Sequence, residues 1–403
     1  MKIAYLCCEK LDLPNAIPIH VSEICEGLTK KGHLVHLYSP YRNTFTFFVN
    51  YSVFTGLLST HSLFCLIENI WFYKILRKKI KAYDLIYCRF YRRFWAPLLL
   101  SKVSKIPLVN EVNEIYRFER ELEKNVLTNY SWYKRLLNFI IMDRISNLIE
   151  RFIHNAANLS ISVTPEISND LINHFKLKPK IVKTISNGVN EHLFFPMDKN
   201  LCRKELGLES DIFYLGFIGH IEYYQGIDKL IKSTKIFFQN TQKTKLIIIG
   251  SGPYTNDVKT LISELGLNDR ILTVPAVKAE ESPKWINCFD LGILLKIPID
   301  SGISPLKLYA MLACNIPVLA SDIPSFRILS ENGVGYLVTY PENEGGCQKV
   351  AEKMLEIYKM ETLNPDKSQK RRDYVIKNFT WSDTVQKTEK YMKQIISEST
   401  HIT

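Results

Sequence analysis

The sequence lacks the patterns of several common site types. Its 403 residues include nine cysteines but no Cys-x-x-Cys pair, which argues against a zinc site and favours reduced, buried thiols. There is no Walker loop, and Gly250-Ser251-Gly252 is followed by Thr255 where the dinucleotide fingerprint needs a third glycine. The sequence therefore disfavours dinucleotide-dependent oxidoreductases and phosphate-loop NTPases.

Acidic residues are outnumbered by basic ones, which gives a formal net charge of +11. A basic protein favours anionic partners such as nucleotides, nucleic acids or acidic membranes. The basic residues are scattered, however, and they do not interleave with aromatic residues as they do in nucleic-acid-binding proteins. No nucleic-acid partner is predicted.

Long apolar runs are also scarce. The first run, 3–8, is too short for a signal peptide, and we expect a cytoplasmic protein. The stretch between Arg42 and Glu68 has no charged residue and is long enough to cross a bilayer, but Asn50 and His61 interrupt it. Two interpretations remain open: an amphipathic segment on the inner face of the plasma membrane, or an aromatic-rich pair of helices beside a cleft.

Strand-like and helix-like segments alternate along the chain, which predicts parallel sheets covered by helices. The candidate strands lie at 2–6, 34–38, 84–88, 107–109, 159–163 and 181–185, and then at 213–218, 245–249, 271–274, 291–294 and 317–320. The pattern restarts after Asn187-Gly188, a turn signal. It therefore predicts two doubly wound α/β domains, 1–190 and 196–379.

One segment, 300–318, has the features of an anion site. Ser304 is a good helix N-cap and Pro305 a good first helical residue, and the start of a helix carries free N–H groups and positive potential. Gly302 lets a ligand approach the backbone, and Lys307 adds a cation where an ordinary helix prefers an acid. These features favour a bound diphosphate; the alternative is an ordinary capped helix with a surface lysine.

Two further turns follow candidate strands. In 219–226, glycines stand at both ends, and His220 is suited to donate to a phosphate or a sugar; the alternative is a structural histidine. Glu111 and Asn113 follow a short strand of the first half and are suited to bind sugar hydroxyls; the alternative is a solvated loop.

Together these segments resemble the group 1 glycosyltransferases, also called glycosyltransferase family 4. The first half carries His20-Val21, Lys31-Gly32-His33-Leu34-Val35, the strand Asp84-Leu85-Ile86-Tyr87-Cys88-Arg89 and the element Glu111-Val112-Asn113. The second half carries the linker 185–190 with Phe195-Pro196, the turn Gly250-Ser251-Gly252-Pro253 and the helix 304–318, similar to "S-P-L-K-L-Y-E-Y-M-A-C-G-x-P-V". Their order matches the family across nearly the whole chain.

The resemblance implies the GT-B fold, with two Rossmann-like domains facing an interdomain cleft and a last helix, 380–403, that packs back on the first domain. It also implies a retaining transfer from a nucleotide sugar to a glycan, lipid-linked or small-molecule acceptor in polysaccharide or glycoconjugate synthesis, without a metal or other cofactor. The implied catalytic residues are Glu111, Asn113 and Lys307, and the implied acceptor residues are Asn15, Ile17, His20, Glu111 and Asn113. The implied donor residues are Gly219, His220, Gln225, Gly226, Gly250, Gly252, Ser301, Gly302, Ile303, Ser304, Pro305, Leu306 and Lys307.

The chain also departs from the family pattern. His220 and Gln225 stand where the family often has arginine and lysine, and Gly302 and Ala310 stand where it has two glutamates. A glutamate restored at 310 is expected to recover contacts with the nucleotide ribose. A catalytically inactive member of the fold, which binds an active transferase as a partner, is the alternative function.

Overall fold

A computed structural model describes residues 1–11, 16–41, 52–58, 66–91, 93–115, 142–298, 302, 304–363 and 368–400. The chain forms two compact units. The first unit is Met1–Asn187, Asp300–Ser304 and Trp381–Thr403, and the second unit is Gly188–Ile299 and Pro305–Thr380. The division at Asn187 lies inside the turn-rich junction that the sequence indicates.

Each unit contains one parallel sheet. The strands are β1 (Lys2–Cys7), β2 (Leu34–Tyr41), β3 (Ser52–Leu58), β4 (Leu85–Arg89), β5 (Leu108–Val112), β6 (Leu159–Ser162), β7 (Val182–Thr184), β8 (Phe213–Ile218), β9 (Thr244–Ile249), β10 (Ile271–Val274), β11 (Leu291–Leu294), β12 (Val318–Ser321) and β13 (Tyr336–Val338). Over the described residues the order is β3-β2-β1-β4-β5-β6-β7 in the first unit and β10-β9-β8-β11-β12-β13 in the second. The prediction of two doubly wound α/β domains is confirmed.

Helices connect these strands. The α-helices of the described residues are α1 (Ala16–Lys30), α2 (Leu66–Leu76), α3 (Ala96–Ser104), α4 (Met142–Ala156), α5 (Pro165–Asn173), α6 (Lys199–Glu205), α7 (Ile227–Gln239), α8 (Thr255–Glu264), α9 (Ser282–Ile286), α10 (Leu306–Ala313), α11 (Ile328–Glu331), α12 (Glu344–Leu363), α13 (Lys370–Asn378) and α14 (Trp381–Thr400). The strands β8, β9 and β11 are almost wholly apolar and buried, as expected for parallel strands covered on both faces.

The described part of the uncharged stretch after Arg42 is a strand, whereas one of the two interpretations placed a pair of helices there. Residues 52–58 form β3, which pairs in parallel with β2 and extends the first sheet at its edge. Val53, Phe54 and Thr55 are β-branched or aromatic residues, which are enriched in strands. Residues 42–51 and 59–65 lie outside the described residues, so the amphipathic alternative stays a prediction for them.

The last helix, α14, packs on α1 in the first unit. A Cβ atom at Gly27 would lie 2.5 Å from Val385, so the two helices approach closely at this glycine. His33 Nε2 lies 2.9 Å from Glu389 Oε1 at one end of the same contact. The C-terminal helix therefore completes the first unit although the whole second unit precedes it in the sequence.

Each sheet has a switch point, which is the pair of neighbouring strands at which the strand order along the chain reverses its direction across the sheet. In the first sheet it lies between β1 and β4, and in the second between β8 and β11. Open α/β sheets bind ligands beyond the carboxyl ends of the strands at such points. The topology therefore selects two edges at which to look for a site.

Candidate functional site

Three charged side chains meet at the switch point of the first sheet. Arg89 is the last residue of β4; its Nε donates to Glu9, which follows β1, and its Nη1 lies 3.2 Å from Oε1 of Glu111 on β5. All three residues are buried. We call Glu9, Arg89 and Glu111 the carboxylate cluster.

Glu111 has other partners besides the guanidinium of Arg89. His20 Nε2 lies 2.7 Å from Oε1, and the Asn113 amide donates to the same oxygen at 2.6 Å. The Tyr87 hydroxyl donates to Oε2. Burial alone would raise the pKa of Glu111, but His20 and Arg89 outweigh it and bring the pKa to about 2. Glu111 is therefore a carboxylate at neutral pH.

The two carboxyl groups of the cluster differ. Burial raises the pKa of Glu9 above its ordinary value, although Arg89 opposes this. Glu111 uses its oxygens on protein groups, so it is suited to hold Arg89 and Asn113 in place rather than to reach a ligand. Asn113 is only partly buried, and its amide has a second hydrogen besides the one donated to Glu111.

The other predicted acceptor residues lie around α1. His20 is 3% exposed, and its ring meets that of Trp381 edge-on at 5.2 Å. Ile17 lies in the first turn of α1 and is partly buried. Asn15 lies outside the described residues. The structure thus brings His20, Glu111 and Asn113 together in the first unit.

Lys307 is the central charged group at the switch point of the second sheet. It is the second residue of α10, and its Nζ donates to Gln225 Oε1 at 3.0 Å and lies 4.8 Å from the ring centroid of Phe217. Gly219 leaves room for it, because a Cβ atom there would lie 2.1 Å from Lys307 Cε. Burial lowers the pKa of Lys307 to about 7. Lys307 is thus partly buried and is not the surface lysine of the alternative interpretation.

The predicted cap of this helix is wrong. α10 begins at Leu306 with Pro305 at the N-cap position, and no side chain caps it. The Ser304 hydroxyl instead accepts a hydrogen bond from Asn187 Nδ2 at 2.8 Å, in the first unit. Among the described residues, no side chain therefore caps the free N–H groups at the start of α10, and uncapped N–H groups suit an anion site.

Gly302 also belongs to the first unit. A Cβ atom at this position would lie 1.7 Å from Thr164 Oγ1, so a glutamate there would collide with Thr164. The neighbouring Ser301 and Ile303 lie outside the described residues. The predicted donor residues therefore divide between the units: Gly302 and Ser304 group with the first, and Pro305, Leu306 and Lys307 with the second.

The remaining glycines pack loops of the second unit against each other. A Cβ atom at Gly250 would lie 1.9 Å from the Gly219 carbonyl oxygen, and one at Gly252 would lie 2.2 Å from that of Ile221. Gly226 has a φ of 63° and caps a single 3₁₀ turn, Tyr223–Gln225. The close packing and the turn of these loops are thus sufficient to require glycine at these positions.

His220 stands in the loop after β8. Its Nδ1 donates to the Ser251 carbonyl at 2.8 Å, and Nε2 lies 3.2 Å from Glu222. Burial lowers the pKa of His220, Glu222 opposes this shift, and Lys307 adds to it. His220 therefore belongs to the electrostatic surroundings of Lys307.

Ala310, one turn after Lys307, lies in the apolar core of the second unit. We expect Ala310→Glu to lower the free energy of unfolding of the free protein by about 1–3 kcal/mol, because the new carboxylate has no partner there. Urea titrations check this, with the exposed Ala276→Glu as control. Unchanged stability would contradict the burial argument, and tighter nucleotide binding by Ala310→Glu would support the expected ribose contact.

Sequence reasoning missed three residues of these edges. Glu9 directly follows the first apolar run, Arg89 is only one letter of a family motif, and Lys296 follows the apolar strand β11 without any motif. A lysine at the end of a buried apolar run was the available signal for Lys296, since lysine is rarely buried without a reason.

Two protein families match the chain. Residues 198–378 match the family "Glycosyl transferases group 1", and residues 17–193 match "Glycosyltransferase Family 4". Together the two matches cover most of the chain.

Individual relatives are distant. A D-inositol 3-phosphate glycosyltransferase of Arthrobacter sp. is 26% identical over 69% of this chain and 63% of its own length. An N-acetyl-alpha-D-glucosaminyl L-malate synthase of Bacillus anthracis is 25% identical over 54% of this chain and 55% of its own. The chain therefore spans less than two thirds of the length of these curated relatives.

Among solved structures, HepE of Anabaena, in complex with UDP and glucose, has a TM-score of 0.75. It is 18% identical and covers 98% of this chain and 100% of its own. At this identity the likeness shows a shared fold, and the two Rossmann-like units of this chain are those of a GT-B protein.

Proposed function

The chain belongs to the group 1 glycosyltransferases of family 4, and we propose that it transfers a sugar from a nucleotide-sugar donor to an acceptor with retention of the anomeric configuration. One observation carries the proposal: Lys307, a partly buried lysine at the switch point of the second sheet, has a neutral amide as its hydrogen-bond partner among the described residues. A charged amine in such a place is stabilised when an anion binds. The donor diphosphate is that anion.

The second unit would bind the donor. Lys307 and the free N–H groups of α10 would contact the diphosphate, and the same groups would stabilise the charge that develops on the leaving nucleotide. HepE binds UDP, so we propose a uridine nucleotide as the first donor to test.

The first unit would bind the acceptor or the transferred sugar. Asn113 offers an amide to a sugar hydroxyl, and Glu111 orients it through their hydrogen bond. We propose Asn113 as a residue that touches the substrate and Glu111 as a positioning residue. The acceptor class, a glycan, lipid-linked or small-molecule acceptor of polysaccharide or glycoconjugate synthesis, and the absence of a metal requirement stay predictions.

A catalytically inactive member of the fold remains the second candidate. Two observations favour it: Thr164 occupies the space that a side chain at 302 would need, and Ala310 is buried among apolar groups. Such a protein would bind a partner transferase and turn over no donor.

Calorimetry with UDP, ADP, GDP and their glucose or mannose conjugates tests the proposal. Wild-type protein should bind at least one nucleoside diphosphate, and Lys307→Ala should bind it more weakly. If the wild-type protein binds none of these ligands, the proposed donor site is wrong.

Among the described residues, no helix is both long and apolar enough to cross a membrane. α2 nevertheless exposes Leu66, Ile67 and Ile70, and the exposed cluster Arg77-Lys78-Lys79 follows it. Apolar side chains next to lysine and arginine are typical of segments that lie on anionic membranes. We propose peripheral contact with such a surface.

We therefore expect the protein to float with anionic vesicles at low ionic strength and to be released by salt, because salt screens the basic cluster. The double variant Ile67→Ser/Ile70→Ser should bind less, whereas Leu272→Ser, at an exposed residue of the second unit, should bind like wild type. No flotation of the wild type at low salt would contradict the prediction.

A further inference from the structure

Lys296 lies at the same switch point as Lys307. It follows β11 by two residues, and β11 pairs with β8, so the segment faces the crevice between the two strands where the chain changes direction. Lys296 is 8% exposed, which is unusual for lysine. The burial of this amine therefore needs a chemical explanation.

A single 3₁₀ turn holds both lysines. The Lys296 Nζ lies 4.8 Å from the ring centroid of Tyr224, and the Lys307 Nζ donates to the side chain of the next residue, Gln225. The backbone N–H of Ile297 donates to the Tyr224 carbonyl at 3.0 Å, which fixes the segment after β11 against this turn. We call Lys296 and Lys307 the lysine pair.

The side chains in direct contact with the lysine pair are neutral. Over the described residues, no ion pair with a carboxylate involves either lysine; their partners are two aromatic faces and an amide oxygen. Burial lowers the pKa of Lys296 to about 7, and the charge of Lys307 acts in the same direction. Two amines that disfavour each other's charge are stabilised together by a ligand with two negative charges.

We propose that Lys296 is a second donor-binding residue, which shares the diphosphate of the nucleotide sugar with Lys307 and so selects diphosphate-linked donors. The inference rests on the proposed function, because it assigns the same donor to the same edge of the second unit. The match is one of charge, since a sugar diphosphate ester carries one negative charge on each phosphate.

Binding of the diphosphate should be coupled to proton uptake by the lysine pair. In the free protein at pH 8 both amines are largely neutral, because this pH lies above a pKa of about 7. The bound anion favours the ammonium forms, so binding takes up protons, and the affinity falls as the pH rises through 7 to 8. A residue that only supports the fold would not produce this linkage.

Calorimetry with UDP and UDP-glucose at pH 8, in two buffers of different ionisation enthalpy, tests the proposal. We expect Lys296→Met to bind about ten- to hundredfold more weakly and to take up about one proton fewer than wild type. Lys296→Arg should keep most of the affinity but lose the same proton, because arginine stays charged. The exposed Lys232→Met, on α7, is the matched control and should behave like wild type.

The outcomes separate the two proposals. If wild-type protein binds and Lys307→Ala binds weakly, but Lys296→Met matches wild type in affinity and proton uptake, the role of Lys296 is wrong and the donor site stands. If wild type binds neither UDP nor any diphosphate of the panel, both are wrong. Should Lys296→Met fail to fold, Lys296→Arg alone decides, through its lost proton uptake.

Discussion

Replacing Glu111 by alanine should lower the free energy of unfolding of the first unit by about 3–5 kcal/mol, the usual range when one partner of a buried ion pair is removed. The variant leaves His20 without the contact to Nε2, leaves Arg89 with Glu9 alone, and removes the acceptor of the Asn113 amide. His20 and Arg89 are buried and cannot recover the loss from water. Urea titration followed by circular dichroism measures the effect.

The neighbouring Glu114→Ala provides the control. Glu114 is exposed, so its loss should change stability by less than about 0.5 kcal/mol. Equal stability of the two variants would contradict the role of the carboxylate cluster. Donor turnover by Glu111→Ala at a temperature where it is still folded should also fall, because Asn113 is no longer held.

The low pKa of Glu111 gives this effect a pH dependence. A carboxyl group whose pKa is lower in the folded protein stabilises it above the unfolded pKa of about 4.3. That contribution is lost as the pH falls from about 4.3 towards the folded value of about 2. Wild-type protein should lose more stability over this window than Glu111→Gln, whose side chain does not titrate.

The second large effect concerns Lys307. We expect Lys307→Ala to weaken nucleotide binding by about 1.5–3 kcal/mol, the range for a hydrogen bond to a charged group. This corresponds to a roughly ten- to 150-fold higher dissociation constant. The stability of the free protein should fall little, because burial disfavours the charged amine in the absence of an anion. Calorimetry and thermal unfolding measure the two quantities.

The variant Gly219→Ala tests the role of Lys307 independently, by displacing its side chain. Its new Cβ atom would lie 2.1 Å from Lys307 Cε, and the φ of 137° disfavours a side chain, so the lysine must move. This variant should weaken binding without removing the amine, whereas Lys232→Ala should not. Unchanged affinity in both Lys307→Ala and Gly219→Ala would contradict the assigned site.

Much of the fold could be predicted from the sequence, because buried parallel strands are apolar runs. The runs at 213–218 and 245–249 correspond to β8 and β9. β3 was missed, since its aromatic and branched residues lie in a longer uncharged stretch that also fits other structures. Short runs without turn signals leave this ambiguity.

Less of the candidate site could be predicted, because its contacts join residues far apart in the chain. The pairing of Lys307 with Gln225 spans 82 positions, and Arg89 meets Glu9 across 80. Ser304 has the chemistry of a cap, but Asn187 engages its hydroxyl, and only the folded chain reveals that competitor. Local patterns indicate which residues are able to bind, and topology decides which of them meet.

Turnover of a nucleotide sugar tests the central claim most directly. Wild-type protein incubated with the nucleotide sugar that it binds should release the nucleoside diphosphate, detectable by phosphorus NMR even through slow hydrolysis. Lys307→Ala should release it much more slowly. Binding of the donor by wild-type protein without any release above the buffer blank would contradict the enzymatic account and favour the inactive member of the fold.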